Sequence, residues 1–372
     1  MKIFFDHKIF TLQNYGGPSR YFVNLIDQLN KIDSINAKIY APIHINHFLS
    51  NVANQNIGIA NKVPFANYLS QFNSFRKQIM KINNKLNNLY VNKNKPDIIH
   101  STYYDDGFPL KTDNLVVTVF DLIHEIFHDD YNQNKNFLPK ENILQKASQI
   151  ICISESTKKD LIKFYNVDKK KITVTYLANS LSSNYEAPIK ARVKLNNKFF
   201  LYVGPRWKYK NFNQLLYLLH DNNQIHNEFD LVTFGGGKLN HDEKELIKKL
   251  NLNKDKIIQI DGDESTLKYL YRNAEFFIYP SKYEGFGIPI LESFSQECPV
   301  LCSNTSSLPE IAGDAASFFD PNDLSSISKS INKIISSNDL RSSLIKKGNK
   351  RLEMFSWNKC ALETLSVYKK MI

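Results

Sequence analysis

Four cysteines in 372 residues (Cys152, Cys298, Cys302 and Cys360) are too few and too scattered for a disulfide framework or a tetrahedral zinc site. Apolar runs are short as well. None approaches the ~18 residues of a membrane-spanning helix, and Met1–Phe10 is interrupted by Asp6, His7 and Lys8. Neither a transmembrane span nor a secretory signal is expected, and the chain reads as a soluble protein of the cytoplasm. Acidic residues are the scarcer charge, with 37 Asp and Glu against 48 Lys and Arg, a formal balance of +11. That excess favours an anionic partner: nucleic acid, a phosphorylated substrate or an acidic lipid surface. With 42% apolar and 23% charged residues, the composition excludes global disorder. At ~150 residues per domain, the length predicts two or three domains.

Short β-rich runs alternate with longer helical stretches. The first set of strands is Lys2–Phe5, Ala37–Tyr40, Asp97–Ser101, Leu115–Phe120, Gln149–Ser154 and Lys171–Tyr176. The second is Phe199–Val203, Phe229–Phe234, Ile257–Ile260, Phe276–Tyr279, Val300–Ser303 and Ser317–Phe319. Several are apolar at consecutive positions, as strands buried on both faces of a parallel sheet must be. Helical patterns at Ser19–Leu29, Lys158–Tyr165, Phe212–His220, Asp242–Leu250 and Ser265–Arg272 separate them. The class is α/β, with two doubly wound parallel-sheet domains. The polar stretch Asn179–Asn197, with Pro188, suits the linker between them. Ligands of open α/β sheets bind at the carboxyl ends of the strands, so a central cleft between facing lobes is expected.

No acidic residue occurs between Asp33 and Asp97, while Lys38, Lys62, Arg76, Lys77, Lys81, Lys85, Lys93 and Lys95 all do. Phe72, Phe75, Ile79, Ile82, Leu86 and Leu89 recur there at helical spacing. Two readings stand: a helix docked on the first lobe with a solvated basic face, or a basic amphipathic helix at 72–89 resting on an anionic membrane.

Four segments carry candidate chemistry. In Tyr279–Glu292, Glu284 precedes Gly285, Phe286 and Gly287, a turn running into a helix that Pro289 opens. Free N–H groups there favour a diphosphate, and Glu284 and Glu292, eight residues apart, can accept hydrogen bonds from sugar hydroxyls. After Phe199–Val203, Arg206 and Lys210 can neutralise a diphosphate leaving group. Gly16 and Gly17 precede a helix near Ser19 but lack a full dinucleotide fingerprint. Asp121 and His124 follow the strand Leu115–Phe120 and can contact a hydroxyl or act as acid and base. Gly235–Gly237 reads as a close-approach turn, Asp261 and Asp263 as a weak imitation of a metal motif, and Cys298 and Cys302 as buried small hydrophobes.

Taken together the chain resembles a family 4 retaining glycosyltransferase of the GT-B type. The resemblance runs through NYGGPSRYF, DIIHSTYY, VVTVFDLIHE, IICISESTKKDL, LYVGPRWKYKN, TFGGGK, YPSKYEGFGIPILES, PVLCSN and LPEIAGDAASFFDP to FSWNKCALETLSVYKKM. It implies that residues 1–180 bind the acceptor, with the terminal helix 357–372 packing back on them, and that 195–356 bind the nucleotide-sugar donor. By the resemblance Glu292 holds the ribose, Glu284 the donor sugar, Gly285, Phe286 and Gly287 line the sugar, and Arg206 and Lys210 grip the diphosphate. Gly16 and Gly17 match the family's first-lobe glycine loop. Where many relatives carry His before the Asp of T-x-x-D, this chain has Phe120, and His124 is the candidate to replace it. The implied reaction retains anomeric configuration and needs neither metal nor cofactor beyond the donor. The expected donor is a GDP-hexose such as GDP-mannose rather than a UDP-sugar. The expected acceptor is a glycan or lipid-linked saccharide of surface polysaccharide or lipopolysaccharide synthesis, at the cytoplasmic face of the inner membrane. The alternatives are an epimerase or phosphorylase on the same scaffold, or a non-catalytic anion-binding protein. No nucleic-acid motif supports nucleic acid as a partner.

Overall fold

The computed structural model describes residues 1–64, 73–104, 114–128, 140–179, 181, 195 and 197–372. Strands of consecutive β-branched and aromatic residues have no polar face to offer water, so they gather into parallel sheets covered on both sides. Two such sheets form. In the first, β1 (Lys2–Phe5), β2 (Asn36–His44), β3 (Ile57–Lys62), β4 (Ile98–Ser101), β5 (Leu115–Val119), β6 (Gln149–Cys152) and β7 (Ile172–Val174) lie in the order β3-β2-β1-β4-β5-β6-β7. In the second, β8 (Phe199–Val203), β9 (Asp230–Phe234), β10 (Ile257–Ile260), β11 (Phe276–Tyr279), β12 (Val300–Ser303) and β13 (Ala316–Phe319) lie in the order β10-β9-β8-β11-β12-β13. Every pairing is parallel. The expected strands all form, and the edge strand β3, missed because its half-buried to exposed residues include Gly58 and Asn61, is added.

The chain divides into one unit of Met1–Leu177 with Trp357–Ile372, and a second of Ala178–Ser356. The expected linker falls almost wholly outside the described residues. In the second unit Phe200 and Phe276 stack at 5.3 Å in a core completed by the helix Phe212–Asp221. Each fully buried aromatic there contributes roughly 2–3 kcal/mol of apolar transfer. In the first unit the closing helix Trp357–Lys369 lies on the helix Gly17–Leu29. It is stitched to β4 and β5 by one buried histidine: His100 Nδ1 lies 2.6 Å from the Tyr368 hydroxyl, and Nε2 lies 2.8 Å from Thr118 Oγ1.

The helix Asn73–Asn94 docks differently from the expected apolar stripe. Ile79 is buried, but Ile82, Leu86 and Leu89 are exposed, Phe75 is half-buried and Phe72 lies outside the described residues. The docked face runs through Ile79, Asn83, Asn87 and Val91. The cause lies in β2, whose register against β3 slips between Ala41 and His44. The backbone groups of Ile43 fall in that slip, and Asn83 satisfies both, its Oδ1 accepting from Ile43 N at 3.0 Å and its Nδ2 donating to Ile43 O at 2.7 Å. Asn87 Nδ2 donates to Tyr40 O at 3.2 Å. Backbone satisfaction overrides the apolar periodicity here.

Candidate functional site

At the carboxyl end of β8 the chain turns at Gly204, whose φ of +119° suits glycine, and reaches Arg206. Arg206 is engaged by protein groups. Its Nε donates to Glu243 Oε1 at 2.8 Å, Nη1 to Gly235 O at 3.2 Å, and Nη2 to Gly237 O at 2.9 Å and Lys238 O at 3.0 Å. Its carboxylate partner is just as occupied, because Glu243 Oε2 also accepts from Asn240 N at 2.7 Å, closing a capping box on the helix His241–Lys249. Gly235, Gly236 and Gly237 all have φ between +72° and +78°, and a Cβ on Gly236 would sit 2.9 Å from Gly204 O. The close-approach turn thus exists, and Arg206 fastens it. In this structure the guanidinium of Arg206 braces two loops.

Lys210 is placed differently. It ends a short turn after which Asn211 takes a left-handed φ of +61° and anchors itself by donating Nδ2 to Pro321 O at 2.7 Å. Lys210 Nζ lies 2.6 Å from Glu284 Oε1 and 3.4 Å from the Tyr279 hydroxyl, with the rings of Tyr209 and Tyr279 beside it. Burial, and after it the carboxylate of Glu284, hold the Tyr279 phenol far above its ordinary range. It is therefore a neutral hydrogen-bonding group.

The loop that carries Glu284 is fixed through its backbone. Glu284 N donates to Ser306 Oγ at 2.9 Å, while Ser307 Oγ lies 2.9 Å from Glu284 O and 2.8 Å from Phe286 O as their donor. Phe286 is buried. Gly287, at φ +110°, caps the helix Ile288–Ser295, and a Cβ there would meet Leu308 Cδ2 at 3.0 Å. Tight backbone anchoring leaves the carboxylate of Glu284 as the part able to exchange partners. Glu292 is buried one turn into that helix, beside Tyr271, whose phenol is pushed up by burial first and by Glu292 second. The second unit thus brings Lys210 together with Glu284, and places Arg206 with Glu243 and Glu292 with Tyr271.

In the first unit Gly16 is extended at φ 171° and precedes the helix Gly17–Leu29; a Cβ on Gly16 would strike the Gln13 side chain, whereas one on Gly17 meets nothing within 4 Å. Asp121 Oδ1 accepts from Ile123 N at 3.1 Å. His124 is half-buried, and burial followed by the charge of Lys140 pushes its pKa down, so the imidazole is neutral at neutral pH and can take a proton. The segment is clamped one residue on: Glu125 accepts from Lys140 Nζ at 2.8 Å and from the Tyr165 hydroxyl at 2.6 Å. Phe120 packs edge-on to Tyr21 and Phe22 as core.

Three groups escaped the sequence reading. Asp6 and Lys8 pair at 3.4 Å in complete burial at the carboxyl end of β1, with Ser101 Oγ donating to Asp6 at 2.8 Å. Burial pushes the Asp6 carboxyl up, but Lys8, His7 and bonds from Thr102 and Ser101 outweigh it and hold it below the usual range. Their only sequence signal was a charged trio directly after a buried strand. Glu243 was visible as the last residue of an N-x-x-E capping pattern. Ser306 and Ser307 had no signal. The false trails resolve locally. The Ser265 hydroxyl, and after it the Thr266 N–H that donates to Asp263 Oδ1 at 3.0 Å as a helix cap, lower Asp263 to about 2. Cys298 and Cys302 are buried and free, with burial raising both thiols, Cys298 to about 12.

Residues 15–178 match the family profile described as Glycosyltransferase Family 4, and residues 185–351 match Glycosyl transferases group 1. Together the two profiles span most of the chain and, with the two parallel-sheet units, support a family 4-like glycosyltransferase of GT-B fold. It is 31% identical to O-antigen chain mannosyltransferase B of Escherichia coli over 239 residues, 61% of each chain. It is 25% identical to O-antigen chain mannosyltransferase RfbU of Salmonella typhimurium over 332 residues, covering 86% of this chain and 87% of that one. Among solved structures, a glycosyltransferase from Rickettsia africae superimposes with a TM-score of 0.72 at 19% identity, over 100% of this chain and 98% of that one. The similarity to that structure speaks for the fold alone. Among the described residues no helix is long and apolar enough to cross a membrane.

Proposed function

We propose that this glycosyltransferase moves a hexose, mannose from a GDP-linked donor being favoured, to a glycan or lipid-linked acceptor in surface polysaccharide synthesis, with retention of anomeric configuration. The mannosyl assignment is supported by the names of the two O-antigen relatives. The observation that carries the chemistry is Lys210 Nζ at 2.6 Å from Glu284, on a glycine turn that ends at a helix start.

In this reading the second unit takes the donor and the first the acceptor. Sugar hydroxyls replace Lys210 as partners of Glu284, and the freed ammonium turns to the diphosphate together with N–H groups at the start of Ile288–Ser295. The bond from C1 to the diphosphate oxygen breaks with its electron pair leaving on the diphosphate. The acceptor oxygen bonds to C1 on the same face, and its proton passes to the departing oxygen. Charge develops on the diphosphate, which is where fixed positive poles lower the barrier most. Lys210 and the helix start supply that charge, so the reaction proceeds without a divalent ion. Asp121 and neutral His124 orient the acceptor hydroxyl, and Glu292 holds the ribose.

Purified protein is given GDP-mannose or UDP-hexoses with membrane acceptors, with and without EDTA, and the product's anomeric configuration is read by NMR. GDP-mannose turnover, insensitive to EDTA and with an α-linked product from the α-linked donor, is expected. Donor consumption that yields only free or isomerised sugar would point instead to an epimerase or phosphorylase and overturn the reading.

A further inference from the structure

Among the described residues, the helix Asn73–Asn94 has an apolar face that stays exposed. Its attachment to the first sheet uses Ile79, Asn83, Asn87 and Val91, with Asn84 Oδ1 2.9 Å from His7 Nε2 and the Tyr90 hydroxyl bonded to that of Tyr40. These contacts lock the helix in rotation, because the two buried carboxamides meet backbone groups that no other face can reach. What they leave outward is a second apolar stripe at one-turn spacing: Ile82 is 48% exposed, Leu86 41% and Leu89 59%. Three large aliphatic side chains on one exposed helix face are a cost in water, and scattered chance would not align them.

The charges around the stripe are of one sign. Lys77, Lys81, Lys85 and Lys93 are all exposed, and no Asp or Glu occurs from Asn73 to Asn94 or anywhere between Asp33 and Asp97. Lys81 and Lys85 stand one turn apart, Lys85 is one turn from both Ile82 and Leu89, and Lys93 is one turn from Leu89. A protein partner recognising this face would need acidic residues and an apolar groove together. A bilayer of anionic phospholipid presents both over its whole surface: phosphate charge at the headgroups and hydrocarbon just beneath. A second copy of this chain would set like charges against like.

We propose that the face formed by Ile82, Leu86 and Leu89 with Lys81, Lys85 and Lys93 rests on an anionic phospholipid surface, the aliphatic side chains entering the interface and the lysines lying at the headgroups. The amide-docked face fixes which side of the first unit meets the lipid. This assignment is independent of the donor and the reaction, since nothing in it involves the second unit.

The test is sedimentation of the full chain with sucrose-loaded vesicles of phosphatidylglycerol and phosphatidylcholine, compared with phosphatidylcholine alone. Binding to the anionic vesicles is expected, weakening as salt rises, with little binding to the neutral ones. Lys81→Gln with Lys85→Gln should lower the partition coefficient roughly 25-fold, because each interfacial lysine is worth about fivefold. Ile82→Ser with Leu86→Ser and Leu89→Ser should lower it at least tenfold, by the loss of buried apolar area. All of these positions are exposed, so melting temperature should be unchanged and serves as the control for folding. Equal affinity for neutral and anionic vesicles overturns the proposal. So does wild-type binding by both variants. If the serine variant instead dissolves a dimer seen by sedimentation equilibrium while vesicle binding persists, the stripe belongs to a second copy and the proposal falls. None of these outcomes depends on glycosyl transfer.

Discussion

Arg206 and Lys210 stand four residues apart after the same strand, and each is paired with a glutamate at hydrogen-bond distance, 2.8 Å to Glu243 and 2.6 Å to Glu284. Their surroundings separate them. The Arg206 pair is buried among loop carbonyls, and its glutamate is also half of a helix cap, so every strong bond it makes is internal to the scaffold. Lys210 has one carboxylate, one neutral phenol and two ring faces, partners a ligand can replace without undoing a loop. A planar guanidinium with five donors suits bracing several carbonyls at once, whereas a single flexible ammonium suits changing partners. Spacing and charge in a sequence do not distinguish these roles. The bonding around each cation does.

The most severe test of that contrast is Glu284→Gln. If Glu284 is the exchangeable partner, the amide keeps the loop, since Ser306 and Ser307 bind its backbone, and only the chemistry suffers. Initial rates of transfer should drop ~100-fold or more, in the range of lost transition-state hydrogen bonds, with melting temperature nearly unchanged. Lys210→Ala should reduce the rate by a similar order for the same reason. Near-normal turnover in Glu284→Gln would make this pair as structural as the other and erase the distinction.

The complementary experiment falls on the brace. Arg206→Ala leaves Glu243 buried beside unsatisfied carbonyls, and a broken buried pair typically costs about 3–5 kcal/mol. Urea unfolding should show that loss, and Arg206→Lys should restore little, because an ammonium cannot span Glu243 and the Gly235–Lys238 carbonyls together. Arg206→Ala with Glu243→Gln should be less destabilised than the two single losses added, as expected of groups in contact. A fully stable Arg206→Ala with weakened nucleotide binding would instead give Arg206 the diphosphate-binding role that the resemblance implies.

Much of this architecture was legible because parallel sheets advertise themselves. β5, β6 and β8 are apolar at every or nearly every position, so burial on both faces could be read without knowing the partners. The Glu284–Gly287 turn was equally plain, since glycines before a helix-opening proline restrict the backbone to few shapes. What escaped depends on pairings between distant segments. No local pattern announces that Arg206 meets Glu243 across 37 residues, or that Ser307 holds Glu284 across 23. The helix Asn73–Asn94 misled for a related reason: periodicity finds an apolar face, but a register slip in β2 created a polar demand that two asparagines met instead.

The smallest expected effect concerns a scaffold group that titrates. His100 is wholly buried between Tyr368 and Thr118, and burial, only partly opposed by Asp6, depresses its pKa to about 3. Between that value and the ordinary 6.5 of an unfolded histidine, the unfolded chain binds a proton that the folded chain refuses. Stability from this group is therefore complete above about pH 6.5 and drains away as the pH falls towards 3, at about 1 kcal/mol for each pH unit. Denaturant titrations of the wild type and His100→Gln at pH 7, 6 and 5 isolate it, because other histidines contribute equally to both proteins. The glutamine variant loses bonds and is less stable throughout, but its loss relative to wild type should shrink by about 1 kcal/mol from pH 6 to pH 5. A constant difference across that interval would mean His100 accepts its proton in the folded state. The dry attachment of the closing helix to β4, which resembles the Arg206 brace in being internal and fully bonded, would then be open to water.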